Sequence, residues 1–526
     1  MRKPPLVSLS WLTVVCLLAP GCVSNRAYRR GDEVQPPQPP SVIEPTGRAS
    51  CDGAASTECI TTLDGKRTPQ SFYLAYIEFD DMGELWSIGD LQEASKPNSQ
   101  LSKALDVIDK AKAIGASEQR DVDVIVFVHG WHNNASPYDE RHKDLASFKS
   151  VLETLSDRTG IAYANKPPVL VGIFLAWRGQ VLAGNKVSSY WNRRDAAVRV
   201  GGQSLTETVM RLMLETKGVP APAVPTPADR CNSKAQRASR NDHFVIVGHS
   251  FGARALEHAI AQPMLSLILE RQAEAQDCIE QWNSSHPPDQ FLKSASFDAP
   301  ADLVVFLNAA NDSLEMKATI EALKRSDVDV TGAVEQAAGM TATGPFMISI
   351  TSDGDWATEW LMPVALWFSM PALSFRHYDR NAGEEGQLDN RSQSFFYRHS
   401  AASIPEMRSH IVCDEDLSSD ACKTADHQTD SWPYFVATVD KQKRCFKIEP
   451  NAAKCDQTNH YPVWNDTPAY VMSVPRTLIP NHTDVFQDGT AELLITIVNY
   501  YSGLFTPSGA KTTRMSTPSK QRMRSQ

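Results

Sequence analysis

A series of short, continuous apolar runs separated by segments of helical spacing constrains the fold more than any other feature of this chain. Runs such as DVIVFVH and PVLVGIFLA do not alternate apolar with polar residues, which is typical of parallel strands buried on both faces. The predicted strands are Ser71–Phe79, Asp123–His129, Pro168–Ala176, His243–Val247, Asp302–Leu307, Phe346–Thr351 and Ala469–Val474. The predicted helices are Leu101–Ile114, Asp139–Leu155, Tyr190–Glu215, Ala253–Ala273, Leu314–Arg325, Ala357–Phe368 and Thr490–Tyr501. This alternation predicts an α/β fold whose mostly parallel sheet is covered by helices on both faces.

Composition divides the chain into four parts. We predict a signal peptide over residues 1–21, a Pro-rich tether over 22–67, one α/β domain over 68–506 and a polar disordered tail over 507–526. An insertion at about 371–466 interrupts the domain before its final strand, and it contains a predicted hairpin of Tyr434–Val439 and Arg444–Ile448. We interpret it as a disulfide-stapled excursion at the edge of the sheet. It is either a cap over a pocket or a surface decoration without a part in substrate binding.

The N-terminus has the layout of a secretory signal, since the positive start MRK precedes an apolar run over residues 6–19. That run is shorter than the roughly 20 apolar residues of a membrane-spanning helix. The following LAPGC resembles a bacterial lipobox, in which Cys22 is lipidated and becomes the mature N-terminus. With Val23 rather than Asp after it, we expect a cell-envelope lipoprotein of the outer membrane that faces the periplasm. Ala19 and Pro20 depart from the usual motif, which leaves cleavage to a secreted or periplasmic protein as the alternative.

The cysteines support export independently. Eight remain once Cys16 in the signal and Cys22 are set aside, and three sequence-adjacent pairs close short loops. In an oxidising compartment such pairs form disulfides, each contributing roughly 2–3 kcal/mol. We favour the pairs Cys51–Cys59, Cys231–Cys278, Cys413–Cys422 and Cys445–Cys455, although a sequence does not fix connectivity.

Charge and motifs exclude several function classes. The formal net charge of −10 argues against a nucleic-acid partner, which would require a basic patch. The chain contains neither of the glycine-rich phosphate-binding patterns, so no nucleotide cofactor is expected. No clustered Cys/His pattern predicts a metal; His129 and His132 could form a zinc pair, but no third ligand is evident.

The stretch GHSFG (248–252) lies between a predicted strand and a predicted helix. A sharp turn at this place lifts the Ser250 hydroxyl off the end of the strand, and Gly248 and Gly252 avoid clashes that larger residues would cause. The helix N-terminus beneath the serine favours negative charge. Ser250 is therefore the candidate nucleophile, and it requires a base and an orienting acid from elsewhere in the chain.

Two later loops supply candidates for these roles. Asp353 and Asp355 follow the predicted strand Phe346–Thr351; we favour Asp355 as the acid and keep Asp353 as the alternative, since either could instead cap the following helix. His482 lies in the loop after the last predicted strand, and it is the candidate base.

An oxyanion hole requires two backbone N–H groups aimed at the developing negative charge. The N–H of Phe251, directly after the nucleophile, is one candidate donor. The other is the N–H of Trp131 in the loop HGWHNN, where Gly130 would let the backbone approach a substrate.

Several motifs together resemble bacterial serine hydrolases of the α/β-hydrolase superfamily, and more narrowly their poorly characterised esterase/lipase-like lipoprotein group. These motifs are FYLAYIEFDDMGELW (72–86), FVHGWHNNA (127–135), GHSFGA (248–253), ADLVVFLNAA (301–310), ITSDGDWAT (350–358) and PNHTDVF (480–486). The resemblance covers most of residues 72–501 except the insertion. It implies a Ser-Asp-His esterase mechanism without specifying the substrate. Asn308-Ala309-Ala310 departs from an expected Asn-Pro-Ala, at a place predicted to lie away from the catalytic loops.

We therefore expect a carboxylic-ester hydrolase acting on a small-molecule ester or a lipid, without a cofactor. Peptidase or amidase activity on the same three residues is the alternative within the enzyme class. A non-catalytic envelope binding protein that retains the fold is the alternative outside it. The apolar run over residues 360–368 could line an acyl pocket, but it is more typical of a helix buried against the sheet.

Overall fold

The structure is a computed structural model of the 526-residue chain. It describes residues 27–29, 57–62, 70–86, 99–136, 143–162, 167–179, 186–217, 242–288, 301–325, 347–369, 373, 393–404, 407–408, 410–414, 434–440, 445–450 and 469–483. The predicted signal peptide, the predicted helix Thr490–Tyr501 and the predicted tail lie outside these residues.

One sheet organises the described part of the chain. Its strands are β1 (Thr57–Thr62), β2 (Gln70–Glu78), β3 (Val122–Val128), β4 (Val169–Ala176), β5 (His243–His249), β6 (Leu303–Leu307), β7 (Met347–Ser352), β8 (His410–Asp414), β9 (Tyr434–Asp440), β10 (Cys445–Pro450) and β11 (Ala469–Val474). They lie in the order β1-β2-β4-β3-β5-β6-β7-β11-β8-β9-β10. The seven strands from β2 to β11 in this order are all parallel, which confirms the predicted α/β class and parallel sheet.

Helices cover both faces of the sheet. They are α1 (Gln100–Glu118), α2 (Lys143–Ala162), α3 (Lys186–Gly201), α4 (Ser204–Lys217), α5 (Phe251–Ser285), α6 (Ser313–Arg325), α7 (Met362–Ser369) and α8 (Gln393–Arg398). Alternate side chains of a strand point to opposite faces. On β3, accordingly, Val124 and Val126 belong to one core cluster with side chains of α1, α3, α4 and α5, whereas Phe127 packs with Phe148 of α2 in the other. Each large side chain buried in this way contributes roughly 1.5–3 kcal/mol.

Two predicted helices are divided in the structure. The stretch predicted as one helix over Tyr190–Glu215 is two helices, α3 and α4, with a turn at Gly202 and Gln203. Gly201 at the end of α3 lies against the backbone carbonyl of Ala255 in α5, where a Cβ would clash, so these helices approach closely. The predicted helix Ala357–Phe368 begins with a π-helical turn, Ala357–Leu361, before α7.

The described part of the insertion belongs to the fold rather than to its surface. β8 pairs in parallel with β11, and β9 pairs in parallel with β8, so these strands extend the sheet beyond β11. The predicted hairpin is present as β9 and β10, with Cys445 opposite Asp440. Before β8, Phe396, Ile404 and Met407 are fully buried in the core. The described strands of the insertion lie at the edge of the sheet, as predicted, whereas the contribution of its buried residues to the core was not predicted.

Parts of the predicted tether also lie on the fold. β1 pairs antiparallel with β2, and Ala27 and Arg29 are buried against the domain. A polar, proline-containing composition indicates low core content but does not prevent single residues from docking. The extent of the tether stays a prediction.

No helix among the described residues is long and apolar enough to cross a membrane. Each proposed cysteine pair has at least one member outside the described residues, so the pairings stay predictions.

Candidate active site

The candidate residues come from loops that follow neighbouring parallel strands. Because parallel strands end at the same edge of a sheet, the segments after β3, β5, β7 and β11 meet there. These segments supply Trp131, Ser250, Asp355 and His482, respectively. Ligand sites of open α/β sheets lie at this carboxyl edge, and the predicted residues are at that edge.

Ser250 occupies a strained turn between β5 and α5. Its backbone dihedrals are φ 56° and ψ −123°, a region that residues other than glycine rarely adopt. A Cβ on Gly248 would lie 2.6 Å from Cα of Ala253, and a Cβ on Gly252 would clash with the carbonyl oxygens of Val128 and His129. Both glycines therefore permit the tight turn, as the sequence predicted.

The structure brings Ser250, His482 and Asp355 into one hydrogen-bonded chain. His482 Nε2 lies 2.7 Å from Ser250 Oγ, and His482 Nδ1 lies 2.8 Å from each carboxylate oxygen of Asp355. All three residues are buried. In this geometry Nδ1–H donates to the carboxylate, which leaves the Nε2 lone pair facing the serine hydroxyl.

Asp355 is held as a carboxylate. Burial alone would raise its pKa, but the adjacent His482 and the hydrogen bonds from His482 and Thr358 outweigh burial and hold the pKa below its usual value. Its Oδ1 also accepts the N–H groups of Ala357 at 2.9 Å and Thr358 at 3.2 Å. From the sequence, helix capping and contact with His482 are alternatives for an aspartate here, but the Asp355 carboxylate does both.

Asp353, the alternative acid, points to a different partner. Its Oδ1 accepts the backbone N–H of Arg476 at 2.5 Å and so ties the loop after β7 to the loop after β11. A Cβ on the neighbouring Gly354 would lie 2.5 Å from Cβ of Arg476, so the two loops are in close contact. The structure thus places Asp355, not Asp353, against His482.

The loop after β3 lies directly against the serine turn. A Cβ on Gly130 would lie 2.7 Å from Cβ of Ser250, so only glycine allows this approach. The rings of Trp131 and Phe251 are neighbours, with centroids 6.0 Å apart. Among the described residues, no acceptor faces the backbone N–H of either Trp131 or Phe251. This lack of a described acceptor is what an oxyanion-hole donor requires.

A second buried carboxylate, not predicted from the sequence, connects three of these segments. Asp144 Oδ2, in the first turn of α2, accepts the N–H of Gly130 at 3.0 Å and bonds His249 Nδ1 at 2.9 Å. His249 Nε2 in turn lies 2.9 Å from the carbonyl oxygen of His482. The loop after β3, the strand that precedes Ser250 and the loop of His482 are therefore linked through Asp144.

His249 is positively charged in this arrangement. Both of its nitrogens face acceptors, and neither an ionised carboxylate nor a carbonyl can supply a proton, so both nitrogens carry one. Burial opposes this charge, but Asp144 outweighs burial and raises the pKa of His249. The pKa of Asp144 is lowered, since His249 and the N–H of Gly130 outweigh the effect of burial.

Both ring nitrogens of His129, a member of the rival zinc pair, make hydrogen bonds. Its Nε2 accepts the N–H of Trp177 at 3.0 Å and its Nδ1 lies 2.9 Å from the carbonyl of Gly130, so the ring joins the end of β4 to the loop after β3. Within the described residues, no group of three or more His, Cys, Asp or Glu side chains could hold a metal ion.

The segment Asn308-Ala309-Ala310, which differs from the expected Asn-Pro-Ala, lies beside the serine turn. The prediction that it lies away from the catalytic loops is wrong. The Ala310 N–H donates to the Ser250 carbonyl at 3.2 Å, and the Ser250 N–H donates to the Leu307 carbonyl at 3.1 Å. Asn308 Oδ1 accepts the N–H of Ser352 at 2.9 Å. This segment therefore joins the serine turn to the end of β7.

The arrangement is chemically competent for nucleophilic catalysis. A serine is a weak nucleophile by itself, and a histidine within hydrogen-bond reach, oriented by a buried carboxylate, activates it. Backbone N–H groups beside such a serine, where they lack another acceptor, can stabilise a developing oxyanion.

Comparison with known proteins adds little to this geometry. No protein-family model and no curated protein matches the chain. One solved structure, an uncharacterized protein from Pseudomonas aeruginosa, is 8% identical with a TM-score of 0.18; the match covers 48% of this chain and 38% of that one. A similarity this weak carries no argument about fold or function.

Proposed function

We propose that this chain is a serine hydrolase that cleaves carboxylic esters through an acyl-enzyme intermediate. The observation that carries the proposal is the buried chain from Asp355 through His482 to Ser250, with its separations of 2.8 and 2.7 Å. A histidine held between a carboxylate and a serine on a strained strand-to-helix turn has little purpose in a purely structural role.

In the proposed mechanism, His482 Nε2 takes the proton of Ser250 as Oγ attacks the ester carbonyl. The N–H groups of Trp131 and Phe251 stabilise the oxyanion of the tetrahedral intermediate. When the intermediate collapses, the C–O bond to the alcohol breaks and His482 returns the proton to the leaving alcohol. Water, deprotonated by His482, then attacks the acyl-enzyme and restores the Ser250 hydroxyl. Asp355 holds the ring in the required tautomer throughout.

We also propose that the domain has the α/β-hydrolase fold. Support comes from the order of the three residues, with the serine after β5, the acid after β7 and the histidine after β11. A further similarity is that the second oxyanion donor follows β3, where that fold places it. Assignment to the esterase/lipase-like group rests on the sequence motifs.

The sequence also supports an envelope location. We propose that the chain is exported, lipidated at Cys22 and stabilised by the four disulfides named above. Wild-type protein is expected to incorporate a labelled fatty acid in cells and a Cys22→Ala variant is not, and equal incorporation would contradict the lipid anchor.

A serine-reactive fluorophosphonate probe tests the catalytic proposal. Wild-type protein should label, and Ser250→Ala and His482→Ala should not. Ser284→Ala removes an exposed hydroxyl at the far end of α5 and serves as the matched control that labels normally. Hydrolysis of a panel of short- to long-chain esters should show the same pattern. Equal labelling of wild type and Ser250→Ala would mean a binding scaffold, and turnover of amides but not esters would favour the peptidase alternative.

A further inference from the structure

The π-helical turn and α7 expose an unusual amount of aromatic surface. The residues form an apolar stripe at helical spacing, namely Trp356, Trp360, Val364, Trp367 and Phe368. Trp360 is 71% exposed and Phe368 63% exposed. The sequence favoured a helix buried against the sheet here, and that interpretation is wrong for these side chains. Single exposed apolar residues are ordinary, but a contiguous group marks an interaction surface.

The apolar stripe is attached to the candidate site. It begins at the residue after Asp355, and the backbone N–H groups of Ala357 and Thr358 are bound by the Asp355 carboxylate. The N–H of Glu359 donates to the Asp355 carbonyl at 2.9 Å. The stripe therefore lies at the carboxyl edge of the sheet, fixed to the acid that orients His482.

A second, independent observation concerns the N-terminal residues. The N–H groups of Tyr28 and Arg29 both donate to the Glu78 carboxylate at 2.8 Å. Arg29 Nε donates to the Ala135 carbonyl at 2.9 Å, and its guanidinium lies 3.9 Å from the ring centroid of Tyr76. Glu78 ends β2, and Ala135 lies in the segment after β3 that also contains Trp131. The N-terminal residues thus dock at the same carboxyl edge.

This docking limits how far the fold can stand from a lipid on Cys22. Only four residues separate Cys22 from Ala27, so the chain takes five steps between them. A fully extended chain advances about 3.3–3.6 Å per residue, so a lipid anchor would lie within about 18 Å of the docked segment. A bilayer holding that anchor is therefore near the edge that carries Ser250.

We propose that the carboxyl edge of the sheet docks on a lipid bilayer, with the apolar stripe in the interface, and that the ester substrate is a membrane lipid. This inference rests on the proposed hydrolase function and names its substrate class. Tryptophan and phenylalanine rings favour the boundary between headgroups and acyl chains, where an apolar helix face is buried. Asp353 and Glu359 lie beside the stripe, so binding does not require an anionic bilayer.

Docking is measured by hydrogen exchange on the mature protein carrying Ser250→Ala, with and without phosphatidylcholine vesicles. Residues 356–369 should gain protection on vesicles, whereas α4, which exposes Leu214, should not. No gain on vesicles overturns the proposal. Protection that needs no vesicles and rises with protein concentration also overturns it, because a second copy would then cover the stripe. This arm does not require catalysis, so it stands apart from a failure of the proposed function.

Turnover is measured on the mature protein with two esters, a soluble short-chain ester and a phosphatidylcholine presented in vesicles. In Trp360→Ser/Trp367→Ser, the ratio of vesicle to soluble rates should fall at least about tenfold, since a buried aromatic ring contributes more than 1.4 kcal/mol. The control Leu214→Ser/Leu269→Ser replaces exposed apolar residues on α4 and α5 and should keep the wild-type ratio. An unchanged ratio in the tryptophan variant overturns the proposal. Equal rates for Ser250→Ala and wild type on both esters overturn the hydrolase function instead.

Discussion

Two histidine–carboxylate pairs lie side by side in this molecule, and they differ in one partner. His482 faces Asp355 and His249 faces Asp144, each through Nδ1 at 2.8–2.9 Å, and the two rings are 5.2 Å apart. The partner of Nε2 is a serine hydroxyl for His482 and a backbone carbonyl for His249. All four residues are buried.

This difference separates a base from a support. A hydroxyl can donate its proton, so Nε2 of His482 keeps a free lone pair that can accept it. A carbonyl only accepts, so Nε2 of His249 must be protonated and cannot act as a base. The carbonyl that His249 binds is that of His482 itself. We therefore regard His249 as a positioning residue that holds the loop of the proposed base.

The largest expected effect comes from replacing the Asp355 carboxylate by a neutral amide. Asp355→Asn should lower kcat about 10⁴-fold, because the amide favours the tautomer in which Nε2 of His482 is protonated and cannot accept from Ser250. The measurement is steady-state hydrolysis of a soluble ester, together with thermal unfolding to show that the variant folds.

Asp353→Asn is the matched control for this variant. Asp353 bonds the backbone of Arg476 and does not touch His482, so kcat should stay within a few-fold of wild type. If Asp353→Asn loses more activity than Asp355→Asn, the assignment of the acid is wrong.

The sequence predicted one of the two pairs and missed the other for a physical reason. Ser250, Asp355 and His482 each follow a recognisable strand, and strand ends of a parallel sheet meet at one edge. The partnership of Asp144 and His249 depends instead on the register of β3 against β5 and on the course of the loop after β11. Neither the register nor the course of this loop can be predicted from local spacing in the sequence. The local signals are a histidine at the end of an apolar strand and an aspartate in a first helical turn.

The exposure of the apolar stripe could not be predicted from the sequence for a related reason. Residues 360–368 are apolar on nearly every side, so their periodicity does not indicate which face packs inward. The break between α3 and α4 was missed because the need for glycine at position 201 comes from its close contact with α5. This is a tertiary contact, which local sequence does not show.

An intermediate effect is expected from removing the carboxylate of the supporting pair. Asp144→Ala leaves the His249 cation and the N–H of Gly130 without their acceptor, and breaking such a buried pair costs about 3–5 kcal/mol. Denaturant unfolding should show this loss in the free energy of unfolding. The value of kcat should fall as well, because the loop after β3, which contains the proposed donor Trp131, loses its hydrogen bond to Asp144. Asp144→Asn should recover part of both, since an amide oxygen still accepts from Gly130. Unchanged stability in Asp144→Ala would mean that the pair does not support the site.

The smallest expected effect is a change in how stability depends on pH, and it distinguishes the two histidines directly. The pKa of His249 is raised in the folded state, chiefly by Asp144 against the effect of burial, with a smaller contribution from Asp355. The protonated ring therefore stabilises the fold fully below the unfolded pKa of about 6.5, and this contribution is lost as pH rises through the folded pKa. The lowered pKa of Asp144 sets the acid side, where its contribution is lost as pH falls below about 3.9 towards the folded value.

His249→Gln removes the titrating group while its amide can still donate to the His482 carbonyl. Denaturant unfolding between pH 5 and 10 should show a decline in wild-type stability at high pH that is weaker in this variant. The pH profile of kcat should have the same shape in both proteins, because His249 supplies no base. If the shape changes in the variant, His249 titrates in catalysis and the distinction between base and support fails. A decline in stability that is identical in both proteins would show that His249 is not protonated in the fold, since its removal would then release no proton-linked free energy.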